Sequence, residues 1–327
     1  MENLNALMLT LLISLIVIIV IAVASWLLVS IFILWLRNRH RERESFNSTL
    51  LQVTVPRDNE IKIDAAEQMF SSLAALYNEG KFSWLEFLNS QAHISFEIVG
   101  LPGDIRFYVF APNKYRDFIE KQINGAYPDA EIIPVNEETV KQNTAHIIGT
   151  EYSIFSEEGK VAFASLKQKN YDYIPIKVYK DLPVDTLSSI SSVLAKMGEG
   201  EGAAMQVLVS PAGSHWKKAG RDYISSTKKN EADPKTAKYK TDTKELELIE
   251  NAIGKPGFDV VIRIVVSAKT KAAAEAHLNN IINAFSQFSG QNSFTQNSHL
   301  IKGWFMKDFI YRYFPGKGQS SILTSEE

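Results

Sequence analysis

From Ala6 to Leu36 the chain runs 31 residues without a charge, then meets Arg37-Asn38-Arg39-His40-Arg41. At roughly 1.5 Å of rise per residue, a helix of that length exceeds a hydrocarbon slab of about 30 Å. Its centre, Leu11 to Ala22, is almost all Leu, Ile and Val, the residues that cost least in lipid. The run predicts a transmembrane anchor over residues 1–36. Trp26 and Trp35 suit the headgroup zone. Arg37, Arg39, Arg41 and Arg43 form a basic tether over residues 37–49 that sets the lower boundary.

A cleaved signal peptide is the competing reading, because Ala22-Val23-Ala24 resembles a small-residue processing site. It is disfavoured: no Lys or Arg precedes the run, which also continues a dozen residues past that site. The charge asymmetry predicts a single pass in the cytoplasmic (inner) membrane, with the N-terminus outside and the bulk of the chain cytoplasmic.

The chain carries a net charge of −2; Glu2 (−1) and residues 37–44 (+2) leave −3 on residues 45–327. A near-neutral module of this kind is not a general nucleic-acid binder. The absence of cysteine excludes disulfides, thiolate nucleophiles and cysteine metal sites.

Past the tether, Leu51-Gln52-Val53-Thr54-Val55-Pro56 alternates as a strand. Asp64 and Glu67 have the spacing of a capping box, followed by Met69, Phe70, Leu73, Leu76 and Tyr77 at helical spacing up to Gly80. Ile94, Phe96 and Ile98, then Ile105, Phe107 and Val109, flank the turn sequence Leu101-Pro102-Gly103-Asp104 and predict a hairpin. A helix carrying Tyr115, Phe118, Ile119 and Ile123 ends near Tyr127-Pro128, and Glu131–Val135 is a short last strand. Strand, helix, strand, strand, helix, strand is the split βαβ, or ferredoxin-like, order.

The second half repeats it. A hairpin joins His146–Phe155 to Val161–Leu166, and Ile174–Val178 reads as a strand. A helix capped by Asp185 or Thr186 carries Leu187, Ile190, Val193, Leu194 and Met197. Strands at Met205–Val209 and Phe258–Val266, a helix over Lys271–Phe288 and a closing strand at Ser293–Thr295 complete it. The expected fold is thus α+β: one N-terminal transmembrane helix followed by two tandem ferredoxin-like domains. They occupy residues 50–140 and 141–303, the second with a basic insertion at 212–257, and an aromatic helix and tail follow at 304–327.

Within the insertion, residues 216–244 hold nine Lys or Arg against four acids. One reading is a solvated, partly disordered excursion with a short helix at each end. The other is an anion or partner contact through Lys217, Lys218, Arg221, Lys228 and Lys229. In the tail, Trp304, Phe305, Phe309, Tyr311 and Phe314 mark a helix that either caps the second domain or docks a partner.

Signs of chemistry are sparse. No phosphate-binding loop of the G-x-x-x-x-G-K-[ST] type occurs; Pro315-Gly316-Lys317-Gly318 lacks its length and hydroxyl. Gly198, Gly200 and Gly202 follow a helix and precede a strand, the wrong order for a dinucleotide turn. Histidines 40, 93, 146, 215, 277 and 299 are scattered. Ser214-His215 makes no triad, and no cofactor or metal is expected. The sequence therefore predicts a chain that is not an enzyme. Arg106-Phe107-Tyr108-Val109-Phe110 sits where RNA-recognition domains carry stacking aromatics, yet without their glycines; packing is the preferred role of Tyr108 and Phe110.

Taken together, Leu51–Pro56 with Asp64-Ala65-Ala66-Glu67-Gln68-Met69-Phe70, Phe96-Glu97-Ile98 with Ile105–Val109, and Tyr127–Ile132 resemble the membrane-anchored N-terminal region of type IV secretion and conjugative-transfer ATPases. The tail Ile322–Glu327 resembles the segment leading into their pump domain. The resemblance covers about residues 50–136 and 300–327. The family's nucleotide loop has no counterpart here, so the motor is a separate polypeptide or this chain is the front of a longer product. The resemblance implies a scaffold or adaptor that docks a translocation ATPase to the membrane. Its expected partners are the lipid bilayer, that secretion or conjugation ATPase and neighbouring complex subunits, with a homo-oligomer as a further class. A stand-alone membrane-tethered interaction protein and a nucleic-acid-binding module are the alternatives, nucleic acid being the less favoured.

Overall fold

In the computed structural model the uncharged run forms one helix, α1 (Glu2–Asn38), because an unbroken apolar backbone can satisfy its hydrogen bonds only within itself. The structure describes residues 2–38, 41–56, 58–76, 92–135, 154, 159–182, 187–232, 243–297, 302–315 and 318–327. Over Met8–Ile33 the mean hydropathy is 3.1 and none of that apolar window is buried, so it is long and apolar enough to cross a membrane, as a signal sequence also can be. Phe32 and Trp35 stack on its surface at 5.9 Å. Trp26 and Trp35 are exposed, as are the Leu, Ile and Val side chains around them. Arg37 lies in the last turn of this helix, and Arg41 and Arg43 lie in α2 (Arg41–Phe46). Arg39, and the side chains of Arg37 and Arg43, fall outside the described residues.

From Ser45 onward the described chain builds a second compact unit around a nine-stranded antiparallel sheet. Strands β1 (Ser48–Thr54), β2 (Ile94–Leu101), β3 (Asp104–Pro112) and β4 (Glu131–Pro134) come from its first half. From the second come β5 (Lys160–Gln168), β6 (Gly202–Pro211), β7 (Gly257–Ala268) and β8 (Phe294–Asn297). Their order is β4-β1-β3-β2-β6-β7-β5-β8, which reads the same from either edge when each half is numbered by itself. The halves meet through β2 and β6, Glu97 opposite Gln206. The last strand, β9 (Ser321–Thr324), pairs with the start of β7, Gly257 opposite Thr324, while β5 pairs with the rest of β7.

On one face lie α3 (Asp64–Leu73), α4 (Arg116–Ala126), α5 (Ser188–Leu194) and α8 (Lys271–Ala284), the last starting at Thr270, whose hydroxyl accepts from Ala273 N at 3.1 Å. They bury Ile119, Ile123, Leu194, Leu278 and Ile281 against Val109, Met205, Ile262 and Ile264. Two further helices, α6 (His215–Ala232) and α7 (Thr243–Gly254), form the insertion between β6 and β7. On the opposite face α9 (Lys302–Ile310) sets Phe305 and Phe309 onto Leu50, Val99, Tyr108, Phe110 and Val265. That second layer is why Leu50 and Leu51 are both buried, although the β1 alternation predicts only one buried face.

Several local expectations change. Asp64 and Glu67 make no capping box: the residue before α3 is Ile63, helical itself, and its side chain caps nothing. Both carboxylates turn to Tyr179. Residues 174–178 are not a strand, because Ile176 N donates to the Glu327 side chain and Lys177 N to Phe288 O, so no ladder forms. The helix from Lys271 tightens into a 3₁₀ turn at Phe285–Phe288. Tyr77, Gly80, Asp185, Thr186, and the 146–155 strand apart from buried Ile154, lie outside the described residues.

Candidate functional site

Strands β2 and β6 meet in the middle of the sheet, and the helices above them part there. The result is an open cleft of about 400 Å³, within the size range of ligand-binding sites. Its floor is Phe96 and Ile98 from β2, Met205, Val207 and Val209 from β6, and Phe258, Val260 and Ile262 from β7. Period-two alternation on three neighbouring strands aims all of these at the same face. Phe70 of α3 forms one wall, edge-on to Phe96 at 5.1 Å. The other wall holds Ile190, Phe285, Phe288 and Phe294; the Phe285 and Phe294 rings meet at 5.6 Å.

A polar strap closes one end. The Tyr179 hydroxyl sits between the carboxylates of Asp64 and Glu67, 3.0 Å from Glu67 Oε2. Lys180 Nζ donates to Glu67 Oε2 at 3.0 Å and to Glu326 Oε1 at 2.8 Å, and Lys255 Nζ reaches the other Glu326 oxygen. Glu327 accepts from Ile176 N and Thr324 N, each at 2.8 Å. These contacts tie α3 to the Tyr179–Asp181 turn and the β9 end of the chain. Burial, followed by hydrogen bonds to the two carboxylates, pushes the Tyr179 phenol up to about 12. Burial alone would raise Glu67, but the Lys180 and Tyr179 hydrogen bonds outweigh it and hold the carboxyl below its ordinary value. Burial raises Glu327.

The sequence-derived candidates lie elsewhere. Lys218, Arg221, Lys228 and Lys229 are exposed on α6, whereas Lys217 is half-buried over the Trp216 ring at 5.5 Å. Burial, then the Arg221 charge, lowers its pKa. The insertion is more ordered than expected: α6 is 18 residues long and buries Ile224 against Leu246 and Ile249 of α7. Residues 233–242 lie outside the described residues. In the tail, Phe305, Phe309 and Phe314 are buried, with Phe305 stacked on Phe163 at 4.5 Å. Tyr311 is half-buried, edge-on to Phe46 at 6.0 Å, while Trp304 points outward at 73 % exposure. Tyr108 and Phe110 lie beneath α9, in the packing role.

Sequence reasoning missed the cleft, the Tyr179 strap and a buried polar row of Glu97, Gln206 and Arg263 on the α9 face. Two signals for that row were present: Glu97 between Phe96 and Ile98, and Arg263 inside the apolar run Phe258–Val266. Among the described residues no group of three or more His, Cys, Asp or Glu is placed to hold a metal ion.

No curated protein matches the chain. Among solved structures, the crystal structure of aclacinomycin oxidoreductase aligns with 74 % of this chain and 41 % of that one, at 10 % identity and a TM-score of 0.29. The chain therefore spans less than half of that protein, and a likeness this distant shows activity in neither direction. The expectation that the chain is not an enzyme is withdrawn, because it rested only on missing motifs, and the absence of a motif does not exclude activity. Residues 38–298, well over half of the chain, match the family described as "Domain of unknown function (DUF8128)", and the protein belongs to that family.

Proposed function

We propose that the protein is a membrane-tethered docking module. In this reading α1 crosses the cytoplasmic membrane once with its N-terminus outside. The sheet unit then stands on the cytoplasmic side as a scaffold of a type IV secretion or conjugative DNA-transfer assembly, holding a translocation ATPase or a neighbouring subunit. The two halves, 50–140 and 141–303, are read as ferredoxin-like units fused through β2 and β6. The mirrored strand order supports this, each half running fourth, first, third, second from its outer edge to the β2–β6 junction.

The observation that carries the proposal is the open apolar cleft at the centre of a sheet that carries apolar clusters on both faces. Apolar surface left open at the centre of such a layer marks a binding place. The test is photocrosslinking in cells from an unnatural residue at Leu187, on the lip of the cleft. Adducts to a secretion-type ATPase or a subunit of its complex are expected. Adducts to lipid alone, or none, would overturn the reading.

A second reading, anion binding by α6, is supported by four exposed cations, Lys218, Arg221, Lys228 and Lys229, on one helix. It predicts binding to DNA or anionic vesicles that weakens steeply with salt and disappears when the four are neutralised. No binding at low salt removes it.

A further inference from the structure

The two halves of the sheet differ most where β6 passes to β7. In the first half β2 turns into β3 through Pro102-Gly103, whereas in the second the same step runs through residues 212–256 and builds α6 and α7. The ladders place that insertion at one end of the sheet: Ser48 faces Pro112, Ser95 faces Phe110, Ile94 faces Val209 and Pro211 faces Phe258. The start of β1, where the chain arrives from α1 and α2, is at that same end, three strand spacings or about 14 Å from β6. Asn38, the last residue of α1, and Ser48 are ten peptide steps apart, a reach of at most about 36 Å. Where α1 spans a bilayer, the headgroups at its basic end are therefore within reach of the insertion.

The outer face of α6 carries the charge to use that position. Trp216, Gly220 and Ile224 turn inward. At about 100° per residue, Lys217, Arg221 and Lys228 follow on one side, with Ser225, Lys218 and Lys229 beyond them, an arc of about 120° that holds no acid. The acids of the insertion helices stand off this arc. Glu231 is half-buried on the inner side, Asp222 lies past the far margin, Glu245 accepts from the Tyr223 hydroxyl, and Glu247 and Glu250 belong to α7. Among the described residues none of the five cations forms an ion pair, although Lys218 has Asp222 four residues on and Arg116, Lys121 and Lys271 all pair at that spacing. The cations also act on one another: after burial, the Arg221 charge lowers the Lys217 pKa. Uncompensated cations on one face attract an extended anionic surface.

We infer that this face of α6 rests on the anionic headgroups of the bilayer that α1 spans, and so holds the sheet unit against the membrane. This rests on the readings of α1 as a span and of α6 as an anion contact, and names which anion. The tether favours a bilayer over nucleic acid, because it keeps headgroups at a high effective concentration while a duplex must arrive from solution. The arc also contains no aromatic ring on which a single strand would stack.

The chain has no cysteine, so Ser225→Cys, exposed within the cationic arc, gives a single site for a fluorescent donor. The test places the full labelled chain in nanodiscs of phosphatidylcholine, or of phosphatidylcholine with phosphatidylglycerol, each holding a headgroup-labelled acceptor lipid. Energy transfer is expected to be higher in the anionic discs and to fall to the neutral level as salt is added. Neutralising Lys218, Arg221, Lys228 and Lys229 to Gln is expected to remove the difference, each change lowering the docked-to-free ratio by up to about fivefold. The salt series gives a reading even where that variant fails to fold. A short DNA duplex added to the neutral discs, followed by anisotropy of the same label, forms the second arm. Equal transfer in both discs with salt-sensitive duplex binding overturns the bilayer as the partner and leaves α6 as an anion contact. Equal transfer with no duplex binding overturns both. Higher transfer in anionic discs that neither salt nor the folded variant reduces overturns the assignment to these cations. A chain that elutes apart from the discs overturns the span, and the inference with it.

Discussion

Arg312 and Glu97, 215 residues apart in sequence, form a buried bidentate ion pair: Nε lies 2.7 Å from Oε1 and an η nitrogen 3.2 Å from Oε2. Both side chains are essentially without solvent contact. Arg312 adopts a left-handed backbone at φ 53°, which places its guanidinium over the Phe110 ring at 4.8 Å. Around the pair, Gln206 donates to Glu97 and to Phe309 O, and Arg263 donates to Asp308 O and Tyr313 O. These donors add a second partner to Phe309 O and Asp308 O, which already accept from Arg312 N and Tyr313 N, and pair Tyr313 O just past α9. The polar row therefore fixes where the tail docks, and apolar contact provides the hold.

Removing one partner leaves an uncompensated buried charge. Arg312→Met is expected to lower stability by about 3–5 kcal/mol, and the double variant Glu97→Leu with Arg312→Met to recover most of it. Urea unfolding of the detergent-solubilised chain, followed by tryptophan fluorescence, measures both. A double variant as unstable as the single one would show that the pair is not the source of the loss.

Tyr179 makes the strap sensitive to pH. Its phenol ionises near 12 in the folded protein against an ordinary value of 10.0. A folded-state pKa above the unfolded one means that the folded state holds the proton more tightly. The stabilisation is present in full below pH 10 and fades as pH climbs from 10 towards 12. The melting-temperature gap between the unaltered chain and Tyr179→Phe should therefore be largest at neutral pH and close across that window. A gap that stays constant to pH 12 would contradict this.

Glu67 works in the opposite direction. Its pKa is depressed, so its contribution holds above the ordinary carboxylate value of 4.5 and is lost as pH falls below it. Thermal melts at stepped acidic pH should show Glu67→Gln less stable than the unaltered chain at pH 7 and indistinguishable from it once Glu67 is protonated.

Much of the sheet was legible because period-two alternation and turn chemistry are local signals. Pro102-Gly103 does join β2 to β3, with Gly103 at φ 71°, and the expected strands at Val161–Leu166, Met205–Val209 and Phe258–Val266 and the helix from Lys271 are present. Where reading failed, the deciding partner was distant. Asp64 and Glu67 look like a cap until Tyr179, more than a hundred residues on, takes both carboxylates. Ile174–Val178 has strand composition, but Glu327 and Phe288 claim its amides. The tail aromatics advertise burial without saying in what, and their surroundings come from six strands spread over both halves. The cleft itself is a gap between elements, which no single segment encodes.

Two glycines separate crowding from backbone strain. A Cβ on Gly100 would sit 2.8 Å from both the Cβ and the carbonyl oxygen of Leu194, so α5 must shift. Gly103 has open space around it but a left-handed backbone. Gly100→Ala is expected to cost about 1–3 kcal/mol through packing, and Gly103→Ala about 1 kcal/mol through conformation alone. Hydrogen exchange should separate them: the first variant loosens α5 amides, and the second leaves them protected. Loosened α5 amides in Gly103→Ala would refute the distinction.

The anchor makes the last prediction. If α1 spans a bilayer as an intact helix, the full-length mass stays in the membrane pellet through alkaline carbonate washing and enters solution only with detergent. Ile18→Arg with Val20→Arg places two cations near the middle of the span, each worth about 2.5–3.5 kcal/mol against insertion, and should move the chain towards the soluble fraction. Processing at Ala22-Val23-Ala24 would instead yield a shortened protein, visible in its intact mass. Orientation is a separate measurement. Protease added to sealed, right-side-out cells should leave the sheet unit whole, and its digestion from outside would reverse the assigned topology while keeping the anchor.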